Sequence, residues 1–145
     1  TDRVICKVEN STGNNSTIII NSLTVDNFAI KDKKFINFPY SQGDLSGYYE
    51  LIYKGKDFSL LAKWTKVLST SSNIKFINQF SVPNRLLFLV KDFQVDLIKN
   101  KRGFINFFGV SKSEAKKRYK RKLPKISLAT NNELINLSKC FDNFN

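Results

Sequence analysis

Apolar and polar residues alternate with a period of two over most of the first 98 residues, and the period lengthens to that of a helix beyond them. Val4, Cys6 and Val8 alternate with charged or mixed positions across Arg3–Glu9, which predicts a strand. The β-branched stretch at 16–20 predicts its partner, and the polar run NSTGNNST at 10–17 predicts a mobile loop closing the hairpin. Short strands are expected at 23–25, 28–30 and 35–38, before Pro39 and the SQGD segment at 41–44 break the sheet. YYELIYK at 48–54 alternates as a strand, and Lys54-Gly55-Lys56-Asp57 reads as a turn in which Gly55 is available for positive φ. Residues 58–68, FSLLAKWTKVL, fit a strand or a helix by period alone, and the short turn before them favours a hairpin with 48–54. The polar residues 69–73 are expected to end that element. Strands at 74–80 and 86–91 flank Val82-Pro83-Asn84, and after a turn at Lys91-Asp92 the residues Phe93, Val95 and Leu97 alternate with Gln94, Asp96 and Ile98.

The helical part carries its own punctuation. Residues 100–108 read as a short helix that Gly109 ends as the C′ residue. Ser111 and Glu114 fit a capping box, with Val110 and Ala115 as its hydrophobic staple. That helix is expected to stop near Leu123, because Pro124 disfavours helical geometry before it. Residues 125–129 look extended, and Thr130 with Glu133 forms a second capping box. Leu134, Leu137, Phe141 and Phe144 then fall on one face of a final helix. The expected fold is α+β: an antiparallel β-sheet of about seven to nine strands, flat or curled, followed by two or three short C-terminal helices. The 145 residues suit a single domain, β-rich over 1–98 with a basic helical tail at 99–145.

Charge sharpens that division. The net charge is +12, and residues 99–125 hold eleven Lys or Arg against the single acid Glu114, which is +10, so the rest of the chain sums to +2. With 41% apolar and 25% charged residues the composition is that of a globular protein. There is no histidine, which excludes a His general base, Ser-His-Asp and Cys-His arrangements and His-ligated metals within the chain. No run of about 18 apolar residues occurs, so no transmembrane helix is expected. The chain opens at Thr1 rather than Met, as expected of a processed or trimmed product with any signal peptide or lipidated Cys upstream.

GYYELIYKGKDFSLL at 47–61 and NNELINLSKCFDNFN at 131–145 together resemble a group of uncharacterised secreted or cell-envelope proteins common in Bacteroidota. The matching pieces are Tyr48, Tyr49 and Tyr53, Gly55, Leu60 and Leu61, the Lys-rich helix at 112–122, and Phe144-Asn145. The chain departs from the group in its Arg-rich YKRK and in Phe where Tyr is commoner. The resemblance implies a compartment, periplasmic, outer-membrane-associated or secreted, rather than a chemistry.

Candidate sites follow from residue type. Lys112, Lys116, Lys117, Arg118, Lys120, Arg121 and Lys122 surround a narrow stripe of Ala115, Tyr119 and Leu123. These cations read either as a partner- or anion-binding surface, for protein, nucleic acid or anionic headgroups, or as a solvated face that serves solubility. The interleaved aromatics of a single-strand platform are missing, and the stripe is thin for membrane insertion. Cys6 and Cys140 are candidates for a disulfide in an oxidising compartment, or for two small buried apolar residues. Asp92 and Asp96 would share a strand face, though as edge charges more readily than as a hydrolytic pair, and Asp26 and Asp32 lack metal-loop spacing. Trp64 reads as a core residue in preference to a binding platform. Asn10, Asn14, Asn15 and Asn136 stand in glycosylation triplets that matter only in a eukaryotic secretory route.

The expectation is a non-catalytic envelope or secreted accessory or structural protein. It acts through protein–protein contacts, as a subunit of a periplasmic or outer-membrane assembly, without cofactor or metal. The alternative is a nucleic-acid-binding module using the basic segment 99–125, and an enzyme using carboxylates or a thiol ranks behind both.

Overall fold

The computed structural model describes residues 3–9, 11–21, 23–38, 46–65, 68–71, 77–80, 83–92, 94–119 and 122–142, with 3–7, 68–71 and 77–80 described through their backbone. The architecture is α+β: antiparallel strands come first and three α-helices follow. The chain divides into two compact units, Thr1–Glu50 and Leu51–Asn145, and the division falls inside one strand.

In the first unit, β1 (Arg3–Glu9) and β2 (Asn15–Asn21) form a two-stranded antiparallel sheet in which Val4 faces Ile20 and Cys6 faces Ile18. The expected hairpin is present, and its loop is shorter than the polar run suggested because Asn15, Ser16 and Thr17 already pair with Glu9, Val8 and Lys7. Residues 23–25 make a turn, not the expected strand. The Asn21 side chain accepts the Leu23 N–H at 3.0 Å, and the Asn21 carbonyl accepts the N–H groups of Thr24 and Val25. An Asn at this position offers the backbone a local alternative to a ladder. Strands β3 (Asn27–Ile30), β4 (Lys33–Phe38) and the start of β5 (Gly47–Lys54) pair in that order. Phe28 stacks on Phe35 and meets Tyr48 edge-on, with ring centroids 5.0 and 4.9 Å away. The buried Tyr48 hydroxyl lies 2.7 Å from the Val25 carbonyl and 3.1 Å from that of Asn21, so the aromatic pins the turn that replaced the strand. Glu50, 2% exposed, meets the Lys33 ammonium at 3.3 Å. The expected break at 39–45 lies outside the described residues.

In the second unit, the end of β5, β6 (Ser59–Thr65), β9 (Asn84–Lys91) and β10 (Gln94–Ile98) follow one another antiparallel. The full order is β10-β9-β6-β5-β4-β3, which does not close on itself. SLLAKWT is a strand, and β6 pairs with β9 over seven residues, Leu60 opposite Leu89 and Ala62 opposite Leu87. A second hairpin, β7 (Leu68–Ser71) with β8 (Ile77–Phe80), is inserted between β6 and β9. This corrects the expected end of structure at 69–73. Ser and Thr are read as turn formers from sequence, yet here Ser69, Thr70 and Ser71 take backbone partners from Gln79, Asn78 and Ile77.

Helix α1 (Lys101–Phe107) opens with the Asn100 side chain accepting the Gly103 N–H at 3.0 Å and ends at Gly109, whose φ of +63° suits glycine. Helix α2 (Lys112–Tyr119) opens with the expected box: Ser111 N–H donates to the Glu114 carboxylate at 2.7 Å, and Glu114 N–H donates to Ser111 Oγ at 3.2 Å. The chain is no longer helical at Lys122, so among the described residues α2 falls short of Leu123. Residues Ile126–Leu128 form a 3-10 turn where an extended segment was expected. The turn puts Ile126 into the core while Leu128 stays 72% exposed. Helix α3 (Asn131–Asp142) has the second box, with Thr130 N–H donating to Glu133 at 2.8 Å. It buries Leu134, Leu137, Ser138 and Phe141; Phe144 lies outside the described residues.

The core of this unit forms where the three helices meet one face of the sheet. It joins Leu60, Ala62, Leu87 and Leu89 to Ile98, Phe104, Ala115, Leu134, Leu137 and Phe141. Leu61 and Phe88, cross-strand partners, are buried on the other face. Alternation in β10 places Ile98 inside and leaves Leu97 40% exposed. Among the described residues no helix is long and apolar enough to cross a membrane.

Candidate anion-binding surface on the helical segment

Helix α2 docks through very little. Ala115 is fully buried and Tyr119 half-buried, while Lys112, Lys116 and Lys117 stand exposed at i, i+4 and i+5 on the outward face. Arg118 is half-buried, its guanidinium carbon 6.0 Å from the Phe141 ring centre, a cation–π contact that joins α2 to α3. Lys122 is exposed, and Lys120 and Arg121 lie outside the described residues. Glu114, the one acid of the segment, is committed to its cap. Hydrogen bonds from the Ser111 side chain and backbone, helped by the charges of Arg118 and Lys117, hold its carboxyl below its ordinary value against the opposing effect of desolvation.

The geometry gathers further cations that the sequence showed only as charge. Two grooves adjoin, sharing Lys101 and Arg102. One, about 420 Å³, runs between α1 and the start of α2 over Ile105, Val110 and Leu123, with Lys112 beside it. The other, about 430 Å³, is bordered by Lys99, Lys125, Asn100 and Ser127. Residues far apart in the segment thus meet because α1 and the 3-10 turn bring its two ends together. A smaller cavity of about 200 Å³ lies against the ring cluster of Phe58, Phe107, Phe108 and Phe141, with Asp57, Lys91 and Arg118 at its edge.

The remaining candidates fall elsewhere. Asp92 occupies a left-handed turn at φ 46°, and Asp96 accepts from Gln94 at 2.9 Å, a surface pair on a hairpin. Trp64 is 42% exposed, so it is not the core residue expected. Its cross-strand partner Arg85 lies over the ring at 5.8 Å and also donates to the Ala129 carbonyl and to Asn131 Oδ1. Trp64 and Arg85 therefore brace β9 against the entry to α3. Cys140 is half-buried against the helical core; Cys6 lies in β1, with its side chain outside the described residues. No group of three or more metal-ligating side chains occurs among the described residues.

Sequence reading passed over Asp142, the last residue of α3. Its carboxylate accepts the Tyr53 hydroxyl at 2.9 Å, the Lys56 N–H at 3.0 Å and the Asp57 N–H at 3.3 Å, closing α3 onto the β5–β6 turn. Gly55 has no positive φ, contrary to the sequence reading. Glycine is needed because a Cβ there would collide with the Asp142 carboxylate. A Tyr-x-Gly-Lys-Asp turn paired with a late helical Asp gives no local signal, since the partners are 85 to 89 residues apart.

Comparisons with family models, curated proteins and solved structures give no match to the chain.

Proposed function

We propose that this is a non-catalytic accessory protein of an envelope or secreted assembly, and that it works by contacting an acidic partner protein through α2. The observation that carries the reading is the way α2 is mounted. One buried alanine, one half-buried tyrosine and the Arg118–Phe141 contact anchor it, and three lysines on its outer face are left for a partner. A helix held for packing alone gains nothing from such a face, whereas like charges on neighbouring turns repel until an acidic surface meets them. The compartment rests on the resemblance of 47–61 and 131–145 to envelope proteins. Under this reading the gene region upstream of Thr1 encodes a signal peptide or a lipid-attachment site, and finding neither there would remove the compartment.

A second reading, nucleic-acid binding through 99–125, is favoured by the groove bordered by Lys99, Lys101, Arg102 and Lys125. The two are separated by fluorescence anisotropy with a labelled poly-glutamate helix and a labelled DNA duplex, across roughly 50 to 200 mM salt. The expected result is binding to the acidic helix that the triple substitution Lys112→Glu, Lys116→Glu, Lys117→Glu removes. Tighter binding to DNA, lost on replacing Lys99 and Lys125 and retained in the triple variant, would establish the second reading instead.

A further inference from the structure

We infer that the groove between α1 and α2 is a binding site for a single-chain anionic amphiphile, an aliphatic carboxylate with a medium-length chain. The groove encloses about 420 Å³, within the roughly 300–1,000 Å³ range of small-molecule sites. Its deepest lining is aliphatic: Ile105 is 7% and Leu123 9% exposed, and Val110 is half-buried. Among the described residues no aromatic ring lines it, so they offer a chain van der Waals contact and offer a base or sugar no stacking surface. Lys101, Arg102 and Lys112 surround these side chains with no acid among the lining residues, which sets the sign of the head group.

The same lining argues against a peptide. An extended peptide needs backbone partners along its length. Ser111, the one hydroxyl in the groove, already spends its N–H and its Oγ on Glu114, which leaves Asn106 as the other neutral polar side chain. An alkyl chain asks for no hydrogen bonds, and its carboxylate asks only for the cations. The site shares only Lys112 with the outward face of α2 invoked above, and it stands if that reading falls.

The test uses the full chain with sodium dodecanoate below its micellar concentration, followed by calorimetry and by methyl NMR of Ile105, Val110 and Leu123. Dodecanoate is expected to bind and to shift those three methyl groups. Dodecan-1-ol and dodecyltrimethylammonium are expected to bind at least tenfold more weakly. Lys101→Glu with Arg102→Glu should lower dodecanoate affinity at least tenfold. Both changes sit in the first turn of α1, where acidic residues favour the helix, so the fold should survive them. Equal affinity for the three amphiphiles, full affinity in the double variant, or binding that leaves those three methyl groups unshifted would each overturn the proposal. Vesicles of phosphatidylglycerol supply the other source of the same chemistry, and binding to them without binding to monomeric dodecanoate would overturn it as well.

Discussion

Asp142 sits where a carboxylate is least welcome, at the negative end of a helix dipole. Burial pushes its carboxyl up, yet the hydrogen bonds from Lys56, Tyr53 and Asp57, with the Lys56 charge, outweigh this and hold it below the ordinary value. A group lowered on folding adds stability above the unfolded value, near ~3.9 for Asp, and loses it as pH falls through the lowered one. Asp142→Asn is therefore expected to cost about 1–2 kcal/mol in urea denaturation at neutral pH, and the difference should shrink as pH falls below ~3.9. A cost that stays constant with pH would show that charge is not the cause. Tyr53 shows the opposite sign. Burial first, then its bond to Asp142 and that residue's charge, push the phenol up to about 12 from 10.0. Its contribution is complete below pH ~10 and fades as pH rises towards about 12. Tyr53→Phe should flatten that alkaline loss, as read by thermal melts from pH 9 upward. Ser138 is fully buried and its Oγ has no hydrogen-bond partner among the described residues. Ser138→Ala is expected to leave stability unchanged or raise it by up to ~1 kcal/mol; a loss above that would reveal a partner for the hydroxyl.

Whole elements were legible wherever the signal is local. Both capping boxes, the Asn100 and Gly109 ends of α1, and the alternation of β5, β9 and the β1–β2 pair could be read from a few neighbouring residues, and each stands where the pattern placed it. Thr130→Ala should cost about 1 kcal/mol by removing the acceptor of the Glu133 N–H, measured as a shift of the urea midpoint. An unchanged midpoint would mean that tertiary contacts alone set the start of α3. Most of the misreadings trace to contacts made at a distance. Ser69–Thr70–Ser71 became a strand because β8 supplies partners, and residues 23–25 became a turn because Asn21 and Tyr48 hold them there. Trp64 stays at the surface because the position opposite it is Arg85, not an apolar residue. The cations of the candidate surface were readable as charge, but the grooves they border exist only once α1, α2 and the 3-10 turn are folded.

At the scale of the molecule, a +12 chain with ten of those charges in 27 residues places strong self-repulsion on one helical segment. Salt should therefore stabilise the protein. Raising ionic strength shortens the screening length from roughly 30 Å at 0.01 M to roughly 3 Å at 1 M, and the melting temperature is expected to climb over that range. Lys116→Glu with Lys117→Glu should reduce the climb; an equal climb in the variant would place the repulsion elsewhere. The clamp formed by Asp142 also bears on how the second unit comes into being. Its two sides are separated by almost the whole length of that unit, so a chain still being translated holds the β5–β6 turn long before it holds the residue that locks it. Contacts of such long range form late and slowly. Strands made first must wait, with their apolar face unsealed, until α3 has followed them. Folding of this unit is accordingly expected to be completed only after α3 has been made, and the unsealed interval is the stage at which a chaperone would find it.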